Sequence, residues 1–508
     1  MSNGSSNSNN ARQKTLKDLV HYTSTTIIGQ GFTMLRTVLL PVLFSPAQLG
    51  IWNIMFVILN YSGNAHLGIL HGMNKEIPLL RGSGKDEEVK DMKDSIFWLI
   101  ILIGLILLIG LFFTSFFVSD SYVIPLRIVS VTAFLQLLFF YFFSVLRADS
   151  QFILISKGVL FFSILSSLLV GLLAFYSPNH LIGALLGIGI AYLFIVAYWV
   201  TKVQFRVPFR FKKKAIQRSF FIGIPLIIIG LLDSLIISID RWVILWNLDQ
   251  TKLGYYALGL MVSGVLGIIP SSFASVLYSR MLERFAVNKN SKDIDSLFFV
   301  PMRAIWGLML FLICISIIIL PLLIRLLIPK YLDSIPIIEI FALGTFFIST
   351  SLIPGSYLIT NNKHRWLILI QVLTGIFIFI VDTILIYAGY GLIGIALGTV
   401  SGYAIYGIAY SVCAMLITIE NRSTVLLLMA KQLFPFILMV ISFIVISPLF
   451  SFGIDPGMQI FSAFLKLIIL SCILFASLWL VNRDGEVMAF ARPEIKAFLA
   501  KFIRSKQN

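Results

Sequence analysis

Apolar residues run through this chain in blocks of about 20 or more, each long enough to cross a bilayer core, with short polar turns between them. The blocks fall near residues 20–44, 49–70, 95–118, 123–146, 153–176, 181–201, 219–247, 253–275, 298–328, 336–360, 366–388, 391–418, 433–451 and 459–481. They lack the period-two alternation of half-buried strands, and an open sheet edge cannot face lipid. The pattern therefore predicts an all-α integral membrane protein of about 14 transmembrane helices. Gly223 to Leu260 reads as an apolar helix and its continuation, yet it carries Asp233, Asp240 and Arg241. An ionisable group at membrane depth costs roughly 2.5–3.5 kcal/mol on insertion scales, so it usually faces a bundle interior or a watery cavity. This stretch is the first functional suspect.

The pattern also repeats. Arg36 lies in an apolar helix followed by Leu49-Gly50-Ile51-Trp52, as Arg241 is followed by Leu253-Gly254-Tyr255-Tyr256. The sixth helix opens LIGALLGIGIAY from Leu181 and the twelfth LIGIALGTVSGY from Leu392, with Leu, Ile, Gly, Leu, Gly and Tyr in register. Two six-helix lobes related by a pseudo-two-fold along the membrane normal explain this, because an even number of crossings gives both halves the same orientation. The expected layout is a disordered tail over 1–14, an N-lobe over 15–205 and a basic linker over 206–218. A C-lobe over 219–420, two further helices over 430–482 and an amphipathic tail over 483–508 follow. The stripes Gly183/Gly187 and Gly394/Gly398/Gly402 have the spacing that lets helix backbones approach closely within a lobe.

Composition agrees: 58% of the 508 residues are hydrophobic and 12% charged, far from the balance of a soluble domain. The net charge of +16 is distributed by topology rather than gathered for nucleic acid. Of the 39 Lys and Arg, Lys252, Arg325 and Lys330 fall in odd-numbered turns, and Arg36, Arg127, Arg241 and Lys466 lie inside the spans. The rest occupy the tails and even-numbered turns. That bias places both termini on the cytoplasmic side of the inner membrane, with the basic segments on anionic lipid. No signal peptide is apparent. Cys314, Cys413 and Cys472 stand apart inside apolar runs and suggest neither disulfide nor metal.

Chemistry is sparse. No HExxH, Walker or GxSxG pattern is present, and no cofactor is expected. His21, His66, His71, His180 and His364 read as interfacial residues near membrane boundaries. The candidates are the charges inside the spans: Arg36, Arg127, Asp233, Asp240, Arg241, Glu339, Asp382 and Lys466. At about 1.5 Å per residue most of them sit roughly 5–15 Å below the outer surface. Arg127 and Glu339, near the interface, read as structural. Arg36 and Arg241 occupy equivalent places in the two repeats and would face a central cavity. Asp233 and Asp240, two turns apart on a continuous helix, would share one face and could carry H+ or Na+. Pairing with neighbouring arginines is the alternative for both.

The chain resembles the polysaccharide transporter branch of the multidrug/oligosaccharidyl-lipid/polysaccharide exporter superfamily, which includes O-antigen and lipid-linked oligosaccharide flippases. Gly223-Ile224-Pro225, Asp240-Arg241, Leu253-Gly254-Tyr255-Tyr256, Leu49-Gly50-Ile51-Trp52 and Glu76-Ile77-Pro78 with Arg81 carry the resemblance, over roughly residues 15–482. It implies two lobes around a cationic cavity, alternating access, and export of undecaprenyl-diphosphate-linked oligosaccharide to the outer leaflet. Arg36, Arg241 and Lys466 would bind substrate, Asp233, Asp240 and Asp382 would couple transport to an ion gradient, and Glu76 and Arg81 would gate the cytoplasmic side. Membrane lipids and a polysaccharide polymerase with its chain-length machinery are the partners implied. An ion-coupled multidrug-type exporter and a membrane-embedded glycan polymerase or ligase are the alternatives.

Overall fold

The computed structural model describes residue 25 and residues 28–203, 210–288, 296–450 and 456–481. The expected N-terminal tail, linker residues 206–209 and the C-terminal amphipathic tail lie outside the described residues. Within them there is no strand. The helices are α1 (Ile28–Leu43), α2 (Pro46–Gly63), α3 (Ile69–Gly82), α4 (Asp86–Thr114), α5 (Asp120–Ala148), α6 (Phe152–Tyr176), α7 (His180–Lys202) and α8 (Lys213–Ile236). They continue as α9 (Ile239–Asn247), α10 (Gln250–Asn288), α11 (Ser296–Leu327), α12 (Ile335–Thr360), α13 (His364–Tyr387), α14 (Gly391–Thr418), α15 (Arg422–Leu449) and α16 (Pro456–Val481). Among the described residues, 12 of these are long and apolar enough to cross a membrane. Fourteen crossings are reached only if α1 and the interrupted pair α2–α3 each count as one.

Two helices expected to be continuous are broken. The second apolar block, read as one helix over 49–70, stops at Gly63, and helix resumes at Ile69 after Leu67 and Gly68 adopt left-handed backbones with φ of 48° and 83°. The helix carrying the buried acids stops at Ile236 and restarts at Ile239. Ser238 Oγ donates back to the Ser234 carbonyl at 2.7 Å, and Ser234 Oγ to that of Gly230 at 2.9 Å. Hydroxyls that bond the preceding turn in this way bend helices. Asp233 and Asp240 therefore lie on opposite sides of a break, and the shared face expected of a continuous helix is lost. A third difference is the start of α4. The charged segment before Ser95 is helical from Asp86, because Asp86, Glu87 and Glu88 fill the first turn where the helix dipole favours acids.

Packing divides the chain into two compact units, one ending at Ala257 and the other beginning at Leu258. In the first unit, Ser45 and Gln48 form a reciprocal capping box that, with Pro46 at the first position, fixes where α2 begins. From there α2 meets the start of α10 backbone to backbone. A Cβ on Gly50 would lie 2.2 Å from the Gln250 carbonyl oxygen, and one on Gly254 would lie 1.8 Å from that of Pro46. The same device joins α3 to α8, where a Cβ on Gly223 would lie 1.9 Å from the Gly68 carbonyl oxygen and one on Gly72 1.9 Å from that of Ser219. The Leu-Gly and Gly-Ile-Pro motifs are thus contact points between spans.

The small-residue stripes serve within each unit as expected. Gly183 and Gly187 bring α7 against the backbone of α6, while Gly398 and Gly402 make room on α14 for Asp382 and Ile378 of α13. The second unit has a large core in which Phe346 and Phe436 stack at 4.5 Å and Phe298 meets Tyr357 at 4.6 Å. The last two helices belong to it: α15 and α16 pack on each other and on α11.

Gly254→Ala should lower the melting temperature of the detergent-solubilised protein by the equivalent of about 1–3 kcal/mol, the usual cost of overpacking. Gly264→Ala, on the same helix with nothing within 4 Å, should be neutral or slightly stabilising. Identical melts for the two variants would refute the backbone contact.

Candidate functional site

The first unit holds both candidate arginines. Arg36, half-buried on α1, donates from Nη1 to Ser166 Oγ on α6 at 3.3 Å, and its guanidinium lies 6.0 Å from the centre of the Phe56 ring. Arg241 is buried on α9, and its Nε has no hydrogen-bond partner among the described residues. Neither side chain has a carboxylate within ion-pair distance among the described residues. Arg241 lies within electrostatic reach of the neighbouring Asp240 but makes no side-chain ion pair with it. That carboxylate is fully buried and already occupied: Oδ1 accepts the Arg241 backbone N–H at 2.7 Å and Oδ2 the Tyr256 hydroxyl at 2.8 Å. Asp240 thus caps the first turn of α9 and ties it to α10. Asp233 lies half-buried near the end of α8.

The first unit also holds an open polar chamber of about 340 Å³ walled by α2, α3, α5 and α8. Asn64 donates to Ser234 Oγ at 3.4 Å, Asn74 to Ser144 Oγ at 3.4 Å, and Gln136 to the Tyr192 hydroxyl at 3.3 Å. Tyr192 lies within electrostatic reach of Arg36. His66 and His71 meet edge to face at 5.2 Å, and the Gly68 N–H donates to His66 Nδ1 at 3.1 Å. A neutral His66 held this way carries its proton on Nε2. Arg147 and the rings of Phe140 and Phe143 complete the wall. The arrangement offers donors, acceptors and aromatic faces, which suits hydroxyl-rich ligands. Two histidines read from the sequence as interfacial therefore line a chamber instead. They meet because the chain turns at Leu67-Gly68, and no linear spacing signals that.

The candidate gate residues do not pair with each other. Glu76 is buried and pairs with Arg218 at the start of α8, beside the glycine contact of α3 with that helix. Arg81 pairs with Asp149 at 2.7 Å, and Lys93 shares that carboxylate at 2.7 Å. Asp91, also buried, is held by Arg210 at 3.0 Å and by Lys212. Arg127 donates from Nε to Ser115 Oγ at 3.1 Å, and its guanidinium lies 5.0 Å from the Phe116 ring centre.

The remaining candidates lie in the second unit. Asp382, buried on α13, accepts from Thr399 Oγ1 on α14 at 3.0 Å, and Gly398 leaves the space its other oxygen occupies. Lys466 of α16 lines a separate cavity with Arg325 and Glu339. Among the described residues no group of three or more His, Cys, Asp or Glu could hold a metal ion.

Residues 83–285 match the family described as polysaccharide biosynthesis protein. In three dimensions the chain superposes on the lipid II flippase MurJ in an inward closed conformation with a TM-score of 0.67, at 17% identity, covering 92% of this chain and 99% of that one. An inward-facing multidrug resistance MATE family transporter of the MOP superfamily gives 0.65 at 13% identity, covering 78% and 94%. The fold is similar to that of these transporters. In sequence the chain is 22% identical over 341 residues to a putative O-antigen transporter of Shigella flexneri, spanning 63% of this chain and 78% of that protein. The family match includes Asp233, Asp240, Arg241 and the α5 wall of the chamber. Arg36, Asp382 and Lys466 lie outside it.

Tyr256→Phe should destabilise the protein by about 1–3 kcal/mol, because it leaves a buried carboxylate oxygen without its donor. Thermal unfolding in detergent measures this. Unchanged stability in Tyr256→Phe would show that Asp240 is not the tie between α9 and α10.

Proposed function

We propose that the protein is a flippase that carries undecaprenyl-diphosphate-linked oligosaccharide from the inner to the outer leaflet of the cytoplasmic membrane by alternating access, with both termini cytoplasmic. The observation that carries this reading is that one membrane-embedded unit holds both a polar chamber and two arginines, Arg36 and Arg241, that make no ion pair among the described residues. The family match and the likeness to a lipid II flippase and an O-antigen transporter support it. In this reading Arg36 and Arg241 take the diphosphate, whose non-ester oxygens suit forked guanidinium donors better than a single ammonium. At an effective dielectric near 20, a unit charge pair about 4 Å apart is worth roughly 4 kcal/mol before desolvation. Two such contacts would supply most of the headgroup affinity while the chamber holds the sugars loosely.

Coupling to H+ or Na+ falls to Asp233 and Asp382. Asp240 is the weaker candidate, since its two oxygens already accept two donors. The Glu76–Arg218 pair and the adjoining glycine contact would hold the cytoplasmic side closed, and Arg81 would brace it through Asp149. A polymerase with chain-length machinery would consume the exported units. Export of organic cations, the principal alternative on this fold, calls for an acidic cavity, and the unpaired arginines disfavour it.

The direct test is reconstitution in liposomes with a panel of lipid-linked sugars and an assay of outer-leaflet exposure. Arg36→Ala and Arg241→Ala should each reduce substrate binding by about tenfold or more in folded protein, with Lys restoring part of it. Normal binding in either variant would remove that arginine from the site. Asp233→Asn or Asp382→Asn should abolish dependence on the ion gradient and leave binding in place. If both retain it, the coupling site lies elsewhere. Labelling of a cysteine at position 213 by an impermeant reagent in sealed cells would overturn the assigned orientation.

A further inference from the structure

We propose that the cavity between α11, α12, α15 and α16 is a headgroup site for a membrane phospholipid that bears both a phosphodiester and a primary ammonium. The cavity is about 210 Å³ and is lined by Arg325, Glu339, Lys466, Gln459 and Ser447. Arg325 lies in the last turn of α11, Glu339 in the second turn of α12, and Lys466 ten residues into α16. Three charged side chains from three helices thus converge on one space. Neither cation has a carboxylate within ion-pair distance among the described residues. Their donors remain available to a ligand.

Size, surroundings and charge choose the occupant. The volume falls below the roughly 300 Å³ at which pockets for drug-sized ligands begin, so a headgroup fits where an oligosaccharide does not. Around the cavity, α15 and α16 turn large apolar side chains outward, among them Ile444, Leu449, Phe461 and Phe464. Such surface in a membrane protein accommodates acyl chains. A phosphodiester carries one negative charge, which the Arg325 fork and the Lys466 ammonium can share. Glu339 would oppose a purely anionic headgroup, but it complements an ammonium two carbons from the phosphate. The three charges together mirror a zwitterion. This inference is independent of the transport reading and separates Lys466 from the arginines of the first unit in function.

Native mass spectrometry of the full-length protein tests it, using phosphatidylethanolamine, phosphatidylglycerol and phosphatidylcholine with identical acyl chains. The ethanolamine lipid should be retained at least about threefold more strongly than the other two. Glu339→Gln should remove that preference while glycerol lipid still binds. Arg325→Gln with Lys466→Gln should lower retention of all three by at least about tenfold, since even one lost charged contact is worth that much. Lys466→Arg should keep binding, which separates loss of charge from loss of fold. Equal or stronger retention of phosphatidylglycerol by the unmodified protein would overturn the proposal. So would a lipid profile unchanged by these substitutions, or displacement of the ethanolamine lipid by stoichiometric undecaprenyl diphosphate, which would assign the cavity to the carried lipid.

Discussion

No water is present in a bilayer core to solvate a peptide group, so this chain must satisfy its backbone within helices and then hold those helices together without a hydrophobic gradient between them. Close backbone approach meets the second requirement. In the first unit Gly50 and Gly254 join α2 to α10, and Gly68, Gly72 and Gly223 join α3 to α8. Any side chain at these points would enter a neighbouring carbonyl. The second broken crossing of that unit, α8–α9, is held through Tyr61, whose hydroxyl lies 2.6 Å from Ser238 Oγ. The breaks and the close contacts therefore work together: small residues set the distance between spans, and hydroxyls decide where a span may bend.

Charge is managed by two different means. The carboxylates inside the bundle, Asp240 and Asp382, are buried and accept from hydroxyl and amide donors. Arg127 lies over aromatic rings. By contrast, the salt bridges cluster on α3, α4, α5 and the start of α8, where Asp149 and Asp91 each take two basic partners and Glu76 takes one. Arg36, Arg241, Arg325 and Lys466 make no ion pair among the described residues.

Much of this was legible in the chain itself. Apolar blocks of bilayer length can only be helices, and the repeated LIG…G…Y openings of α7 and α14 correspond to two helices that each pack through glycine on the one before. Arg36 and Arg241 were visible because a charge in an apolar run needs a reason. The histidines of the chamber were not, since His66 and His71 match no motif and become neighbours only through the turn at Leu67-Gly68. Asp233 and Asp240 misled for the same kind of reason: helical periodicity holds only while the helix is continuous, and Ser234 and Ser238 interrupt it.

Sequence by itself determined that the chain is a polytopic helical membrane protein with an internal repeat and a small set of buried charges, because length, hydropathy and charge are local properties that lipid reads directly. Tertiary structure decided which of those charges are satisfied. Asp240 accepts from Tyr256 and a backbone amide, while the side chain of Arg241, the next residue, makes no ion pair among the described residues. Arg325, Glu339 and Lys466, far apart in the chain, share one cavity. Partnership of this kind depends on where other helices place a hydroxyl, a carboxylate or an empty space, and no window of sequence contains that information.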